Sequence, residues 1–379
     1  MNLDGARICV VGGGLAGSLL AWRLAGSGAG RVDLALGAPP SAMRGDATEA
    51  SGGMVRGFDP DPVVSRAAVA SLVELRGSQT LRRWSAYDEV GSVYVCDSPR
   101  LPYLQFAELE RALPGSTDLL AVDRLTARGW AGLPTYCTAV SERAAGYLSP
   151  SGLRRAVLGD LASRRAANLL PVTVGTLRVR PDGLVRCRTG ATRRDYDVVA
   201  VAAGRWTGRL LGRSGLPHAG LRTKSIQYTV YAATGWLPPP FVDETSGLYG
   251  RPVGTDALLL GMPVQHWDVD PDLPPDSPAP HAAAARWAAV RFPRLRLGPP
   301  LRRTAAADSY TDRGMLSLRP VAGTGDRIVT FAGGSGGSVK TALAASRWAA
   351  AELAATVHSG HCPAAIHHPD TPRREGIAQ

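Results

Sequence analysis

Lysine is nearly absent from this sequence, although the chain is strongly basic. Of the 43 lysine and arginine residues among 379 positions, only Lys224 and Lys340 are lysines, and the formal net charge is +11. The arginines occur singly or in scattered pairs, so no run of them forms a basic arm of the kind that binds nucleic acid. Together with the abundant alanine, this bias is typical of a genome-wide coding preference, and we expect no nucleic-acid partner.

Cysteine is also scarce, and its spacing excludes the common zinc and redox motifs. No CxxC occurs, and the five cysteines are far apart, at Cys9, Cys96, Cys137, Cys187 and Cys362. This pattern predicts reduced, mostly buried thiols of an intracellular protein. Four of the seven histidines lie near Cys362, but their spacing matches no zinc finger and two prolines interrupt them. We therefore predict a solvated tail over residues 358–379 and no metal site.

Long apolar runs and a secretory signal are missing as well. Charges or prolines interrupt every apolar stretch before the roughly 18 residues that a membrane helix needs. The apolar N-terminus leads into a triple glycine and not into a small-residue cleavage site. We therefore predict a cytoplasmic protein without a membrane partner. Its 45% hydrophobic and 20% charged residues are typical of a globular protein, and its length suits two or three domains.

The N-terminus carries a strand–glycine–helix motif. A β-branched run at residues 7–11 predicts a strand, an apolar-periodic run at about 15–25 predicts a helix, and a second strand follows at 32–36. Between them, Gly12, Gly14 and Gly17 match the GxGxxG fingerprint of dinucleotide-binding folds. Gly12 would permit the tight turn, Gly14 would let a pyrophosphate approach the backbone, and Gly17 would allow close helix–strand packing. The N–H groups of the helix start would hold the phosphates.

One part of this fingerprint is missing. The second strand should end in an acidic residue that binds the adenosine ribose, but here it ends at Leu36 and Gly37. Asp33 lies inside the strand and is a poor substitute. Backbone groups, water or Arg44 in the following loop are the alternatives.

A second glycine-rich turn lies near the other end of the chain. An apolar strand is predicted at residues 327–332, glycine-rich residues follow at 333–338, and a helix is predicted at 339–357. Two such units can share one ligand at the carboxyl edge of a doubly wound sheet, which suits a long dinucleotide. Between the two units the pattern predicts helices at about 61–84, 150–166 and 281–292, strands at 93–95, 172–179, 184–187, 197–204, 225–233 and 258–263, and a proline-rich loop at 268–280.

Four segments resemble the FAD-dependent amine and amino-acid oxidoreductases of the D-amino-acid oxidase, glycine oxidase and monomeric sarcosine oxidase group. They are residues 10–17 (VVGGGLAG), 50–56 (ASGGMVR), 196–206 (YDVVAVAAGRW) and 331–340 (FAGGSGGSVK). The resemblance implies an α/β fold with a Rossmann-like FAD-binding domain and a second, mixed-sheet α+β substrate domain. By this analogy the FAD-binding domain takes residues 1–85, 142–215 and 313–357, and the substrate domain takes 86–141 and 216–312.

The resemblance also assigns site residues. It places a cationic clamp for a substrate carboxylate at Lys340 and Arg56, and cavity-lining tyrosines at Tyr249 and Tyr310. The first and last glycine turns, with the loop after the second strand, would hold FAD. The complete set of cofactor-binding residues that we expect is Gly12, Gly14, Leu15, Ala16, Gly17, Arg44, Ser51, Gly52, Gly53, Met54, Val174, Ala203, Gly204, Trp206, Gly334, Ser335, Gly336, Gly337, Ser338 and Lys340.

Two departures from the family pattern matter. Some relatives attach the flavin to a cysteine just before the matching tyrosine segment, where this chain has Asp308 and Ser309, so we expect noncovalent FAD. Other relatives activate oxygen with a lysine on the strand where this chain has Leu259. The absence of that cation favours a dehydrogenase, or an oxidase that uses another group such as Lys224.

Three functions remain open. The first is oxidation of a C–N bond of an amine or amino acid by hydride transfer to the flavin, with a specialised biosynthetic pathway as one setting. The second is a flavoenzyme of the same fold that hydroxylates, desaturates or cyclises a pathway intermediate. The third is a flavin-dependent RNA-modifying enzyme, the class that would use the charge of +11. The sequence does not indicate the oligomeric state.

Overall fold

The computed structural model describes residues 5–28, 30–37, 46–97, 103–218, 220–312 and 314–359. In chain order the strands are β1 (Arg7–Val11), β2 (Arg31–Ala35), β3 (Met54–Val55), β4 (Ser92–Cys96), β5 (Thr117–Leu120), β6 (Thr138–Glu142), β7 (Gly146–Tyr147), β8 (Ala167–Leu170), β9 (Thr176–Val179), β10 (Val185–Thr189), β11 (Thr192–Tyr196), β12 (Val198–Val201), β13 (Arg222–Gly235), β14 (Phe241–Asp243), β15 (Tyr249–Val253), β16 (Ala257–Gly261), β17 (Leu295–Tyr310), β18 (Ser317–Pro320) and β19 (Ile328–Ala332). The helices are α1 (Leu15–Gly26), α2 (Pro62–Gly77), α3 (Gln79–Ser85), α4 (Tyr103–Ala112), α5 (Val122–Ala127), α6 (Pro150–Ser163), α7 (Thr207–Arg213), α8 (Pro278–Arg291) and α9 (Ser338–Ser359).

The first large sheet holds both glycine turns. Its strand order is β18-β19-β12-β1-β2-β8, and all neighbours are parallel except β18, which is antiparallel to β19. Helices α1, α6 and α9 cover one face through a leucine-rich core that includes Leu19, Leu20 and Leu343. The small antiparallel sheet β9–β11 and α7 cover the other face. Burial on both faces explains why β1, β12 and β19 are continuous apolar runs.

The second large sheet is mixed and mostly antiparallel. Its order is β17-β13-β16-β15-β14-β4-β6-β5, and only β14 and β4 run parallel. Its core contains Trp130, Phe241 and Phe292, whose rings meet edge to face with centroids 4.8–5.5 Å apart. Helix α8 packs on this core through Ala284 and Ala288. The α/β fold with a parallel sheet and an additional mixed sheet is confirmed, whereas the domain boundaries given above stay a prediction.

Three predicted elements differ from the structure. The helix expected over residues 61–84 is two helices, because Ser78 is extended (φ −118°, ψ 106°) and its Oγ accepts the Leu81 N–H of the second helix at 3.2 Å. The helix expected over 150–166 ends at Ser163, and the chain then forms β8. The strand expected over 172–179 begins only at Thr176, so Val174 lies in a loop. Val174 packs beside the first sheet, and its backbone is not part of a strand.

Strand β17, sixteen residues long, was not predicted at all. Gly298, Pro299 and Pro300 interrupt its pattern, and Arg302 and Arg303 are exposed. The strand lies at the edge of its sheet and pairs with β13 alone. Proline is tolerated there because an edge strand has one unpaired side.

Among the described residues, Cys9, Cys96, Cys137 and Cys187 are buried free thiols. Within the same part of the chain, no helix is long and apolar enough to cross a membrane. The described residues also contain no group of three or more His, Cys, Asp or Glu that could hold a metal ion. The histidine-rich tail lies almost entirely outside the described ranges.

Candidate functional site

A cavity of about 1340 Å³ opens at the carboxyl ends of β1, β12 and β19 and extends to the second sheet. Its walls include Val11, Ala202 and Ala332 on the first sheet and Gln227 and Leu259 on the second. This is the edge at which doubly wound sheets bind ligands. The volume exceeds the roughly 300–1,000 Å³ of most small-molecule sites. The cavity therefore has room for a large cofactor and a substrate together.

The first glycine turn has the geometry that the fingerprint requires. Gly12 has φ +123°, and a Cβ there would lie 2.3 Å from the carbonyl oxygen of Ala202. A Cβ at Gly17 would lie 2.0 Å from the oxygen of Gly12, so α1 packs tightly on the β1 turn only because residue 17 has no side chain. At Gly14 the nearest atom to a Cβ would be Thr48 Oγ1 at 3.5 Å. These contacts are those expected of a tight turn at Gly12 and close packing at Gly17, and the role of Gly14 beside a pyrophosphate stays a prediction.

The start of α1 faces the cavity. Its N-cap residue, Gly14, makes no side-chain cap, and the first turn carries no acidic residue. Thr48, which sequence reasoning missed, accepts the Leu15 N–H through its Oγ1 at 3.0 Å. Thr48 therefore takes one N–H of the first turn, and no acidic side chain of that turn opposes an anionic ligand such as a phosphate.

The adenosine end of the expected site differs from the usual pattern. Asp33 is buried and is held by Asn168 Nδ2 at 2.7 Å and by the Tyr196 hydroxyl at 2.9 Å, and it does not line the cavity. The cavity wall here is formed by Leu36, Gly37 and Val174, together with Arg154, which is ion-paired with Asp46. Arg44 lies outside the described residues. Asp46 and Arg154 were missed because they are brought here by tertiary packing.

The loop at residues 51–54 is clamped between the two sheets. Gly53 has φ +70°, and a Cβ there would lie 2.1 Å from the Leu148 oxygen. The Arg251 side chain of β15 donates from Nε to the Gly52 carbonyl. Ser51, Gly52, Gly53 and Met54 all line the cavity. The loop therefore forms a fixed part of the wall.

The second glycine turn is tied to the end of β17. The Ser335 N–H donates to the Ser309 carbonyl at 3.1 Å, and the Thr311 N–H donates to Ser335 Oγ at 3.2 Å. The Gly336 N–H donates to Asp308 Oδ2 at 3.2 Å. Burial raises the pKa of the Asp308 carboxyl against the opposing effect of its hydrogen bonds. The turn that begins α9 is thus joined to the strand that carries Tyr310.

Lys340 and Arg56 meet at the cavity wall, but they share a third partner that the sequence did not reveal. Lys340 Nζ lies 2.6 Å from Asp59 Oδ2, and Arg56 Nη2 lies 3.2 Å from the same oxygen. Burial and the nearby guanidinium lower the pKa of Lys340 to about 8, although Asp59 opposes them. Burial acts to raise the pKa of Asp59, but the two cations outweigh it and hold that pKa below its ordinary value. Asp59 therefore offsets part of the positive charge of Lys340 and Arg56.

A buried carboxyl group supports the segment that carries this clamp. Glu142 accepts the Gly57 N–H at 2.7 Å and the Phe58 N–H at 3.0 Å. Arg56 Nε donates to the Phe58 carbonyl at 3.0 Å, and its guanidinium lies 4.9 Å from the centre of the Tyr94 ring. Burial raises the pKa of Glu142. These contacts fix Arg56 in one place on the wall.

The two tyrosines also line the cavity. Tyr249 donates its hydroxyl to the Gln227 carbonyl at 3.2 Å, and its ring lies where a side chain at Gly261 would be. Tyr310 packs edge to face on Trp267, and its hydroxyl lies against Gly336. Burial raises the pKa of both phenols, so both stay protonated at neutral pH.

Leu259 stands where the resemblance places the oxygen-activating lysine of some relatives, and that assignment stays a prediction. Leu259 is 1% exposed and lies in the cavity wall. Lys224 is a further cation on the wall, with its Nζ 4.5 Å from the Trp267 ring centre and 5.4 Å from the Tyr310 ring centre. Burial lowers the pKa of Lys224.

The structure gathers nearly all of the residues singled out from the sequence around one cavity, although their roles stay predictions. Among the described residues Gly17 is the exception, because it packs behind the turn, and Arg44 lies outside the described residues. The lining residues among them are Gly12, Gly14, Leu15, Ala16, Ser51, Gly52, Gly53, Met54, Arg56, Val174, Ala203, Gly204, Trp206, Tyr249, Tyr310, Gly334, Ser335, Gly336, Gly337, Ser338 and Lys340.

Comparisons with known proteins identify the family and the fold of the chain. The model of a family described as DAO, FAD dependent oxidoreductase, matches residues 7–352. The structure is similar to L-proline dehydrogenase from P. horikoshii (TM-score 0.74, 15% identity, 94% of each chain covered). It is also similar to NikD, described as an unusual amino acid oxidase essential for nikkomycin biosynthesis (TM-score 0.72, 19% identity, 93% of this chain and 94% of that one). Glycine oxidase from Geobacillus kaustophilus matches with TM-score 0.71 and 18% identity over 98% of this chain and 100% of that one. No curated protein shows a significant match to the sequence.

Proposed function

Because the chain belongs to the DAO family of FAD-dependent oxidoreductases, we propose that it binds FAD noncovalently and oxidises a C–N bond of a small amine or amino acid. The observation that carries the proposal is the single cavity that joins both glycine turns to Lys340, Arg56, Tyr249 and Tyr310. The proteins of similar structure described as a proline dehydrogenase, a glycine oxidase and an amino acid oxidase support the substrate class.

The residues present fit FAD. The side-chain-free wall at Gly12 and Gly14 leaves the start of α1 open to the pyrophosphate, although Thr48 Oγ1 already accepts the Leu15 N–H there. The loop at residues 51–54 and the turn at 333–338 supply the backbone that would hold the flavin end. When bound, FAD supplies the hydride acceptor for oxidation of the substrate carbon that bears nitrogen.

The residue before the Tyr310 segment supports the proposal that the cofactor is noncovalent. Asp308 stands where some relatives have a cysteine, and its carboxyl group is occupied by two backbone N–H groups. Of the four cysteines that the structure describes, none lines the cavity. The protein therefore has no thiol in place for a flavin thioether among these residues.

The clamp and the apolar wall would hold the substrate. A substrate carboxylate would take its charge-assisted hydrogen bonds from Lys340 and Arg56, in competition with Asp59. Leu259 and Met262 supply apolar surface nearby, and Tyr249 and Tyr310 supply rings that exclude water. These neutral phenols would orient the substrate and would not act as bases. The substrate amine would lose its proton before oxidation, because the free-base form is the reactive one.

The test is anaerobic titration of the purified protein with a panel of amino acids and cyclic amines. We expect at least one of them to bleach the flavin absorption, and acid precipitation to release intact FAD into the supernatant. Admitting air should restore the absorption slowly, because Leu259 replaces the oxygen-activating cation. Flavin retained in the pellet would refute noncovalent binding. Bleaching by NADPH but by no amine would favour the hydroxylating or desaturating alternative.

A further inference from the structure

Asp308 is a carboxyl group on the wall of the proposed cofactor cavity that the oxidation reaction itself does not require. It lies at the end of β17, and its side chain accepts two backbone N–H groups, Ser309 at 2.7 Å and Gly336 at 3.2 Å. The second of these lies in the turn before α9. The carboxylate therefore takes an N–H donor at a helix start that would otherwise serve an anionic ligand.

Lys224 and Arg205, two cations near Asp308, both contact aromatic rings. Lys224 is the residue directly across from Asp308 in the β13–β17 register, but its ammonium group lies over the rings of Trp267 and Tyr310. Arg205 attracts Asp308 electrostatically, yet its guanidinium stacks on Trp206 at 4.2 Å.

We propose that Asp308 tunes the bound FAD by placing a negative charge on the cavity wall, which disfavours the negative charge that reduction adds to the flavin. The proposal rests on the proposed function, because it assumes that the cavity binds FAD. Like charges in a site shielded from water repel more strongly than in bulk water. A charge near the ring system is one of the means by which a protein sets the electronic properties of a flavin. When it is ionised, Asp308 thereby lowers the reduction potential.

The test compares wild-type protein with Asp308→Asn and Asp308→Ser by the affinity of the bound flavin for sulfite and by its midpoint potential. Asparagine keeps an oxygen that can accept the Gly336 N–H, so a purely structural role would survive that substitution. We expect at least about a tenfold gain in sulfite affinity, equivalent to a rise of about 30 mV for a two-electron couple. The gain should widen as the pH rises, because only the wild-type carboxyl group ionises.

Asp268→Asn is the matched control, since Asp268 is an exposed carboxylate that pairs with Arg222 and does not line the cavity. It should leave sulfite affinity unchanged. Equal potentials in wild type and Asp308→Asn at every pH would overturn the inference while leaving the proposed function intact. Loss of FAD from both Asp308 variants would also overturn it, because the residue would then build the site and not tune it. Wild-type protein that binds no FAD would refute the proposed function itself.

Discussion

At the scale of single residues, Lys340 is the group on which the amino-acid proposal depends most. Replacing it by methionine removes a charge-assisted hydrogen bond worth roughly 1.5–3 kcal/mol. For a carboxylate substrate we expect an affinity loss of about ten- to a hundredfold, with FAD content near normal because the phosphates bind at the first glycine turn. Lys224→Met is the control, since it removes the other lysine of the same cavity. Unaltered affinity in Lys340→Met would leave a neutral amine as the substrate.

The protonation of Lys340 gives a second prediction. Because burial and Arg56 lower its pKa to about 8, the ammonium form is complete below that pH and is lost as the pH rises through it. Affinity for a non-oxidisable carboxylate such as acetate should therefore be constant at lower pH and fall above pH 8. Spectral titration of the bound flavin measures this. Lys340→Arg, which stays charged, should remove the fall, and a fall that persists in this variant would assign it to another group.

The contacts that sequence reasoning missed share a physical cause. Lys340 stood out because lysine is so rare in the chain, and Arg56 stood out through its family motif. Their partner Asp59 is 281 residues from Lys340 along the chain, and Glu142 is 85 residues from Gly57. Neither spacing nor composition indicates such pairs. A local motif can be predicted from sequence, whereas the charge balance of a site depends on tertiary packing.

At the scale of elements, the contact between α1 and the β1 turn gives a matched pair of substitutions. Gly17→Ala places a Cβ 2.0 Å from the Gly12 oxygen, so the free energy of unfolding should fall by about 1–3 kcal/mol and FAD content should drop. Gly159→Ala, inside the exposed face of α6, meets no atom within 4 Å. It should raise stability by about 0.5–1 kcal/mol. Thermal unfolding checks both, and equal effects would show that α1 can shift without cost.

The elements that were predicted best from the sequence are those whose residue pattern follows directly from burial or from a glycine turn. Strands β1, β12 and β19 are buried on both faces and read as apolar runs, and α1 begins at its glycine turn. Strand β17 was missed because a long edge strand tolerates Pro299 and Pro300 and exposes charged residues. The break at Ser78 was missed, although Gly77 ends α2 and Ser78 caps α3 with a hydrogen bond from the Leu81 N–H.

At the scale of the whole molecule, the positive charge is spread over many elements, whereas the topology brings distant segments together. The net charge of +11 is distributed over arginines that often pair with nearby carboxylates, such as Arg154 with Asp46 and Arg180 with Asp195. The expectation that the chain has no nucleic-acid partner stays a prediction. The topology, in contrast, brings the two ends of the sequence to one place. Residues from Val11 to Ala342 line the same cavity.

This topology predicts that FAD stabilises the whole chain. The proposed ligand would contact the first glycine turn, the 51–54 loop and the turn before α9, and unfolding would break all of these contacts together. A ligand that binds only the native state adds about 2.7 kcal/mol at 100 times its dissociation constant. Protein stripped of flavin should therefore unfold at a lower temperature, and added FAD should restore the higher one in proportion to its concentration. NAD is the control, because it lacks the flavin that the second glycine turn would hold. Stabilisation by NAD as strong as that by FAD would contradict the assignment of the cofactor and would leave only a generic dinucleotide site at the first turn.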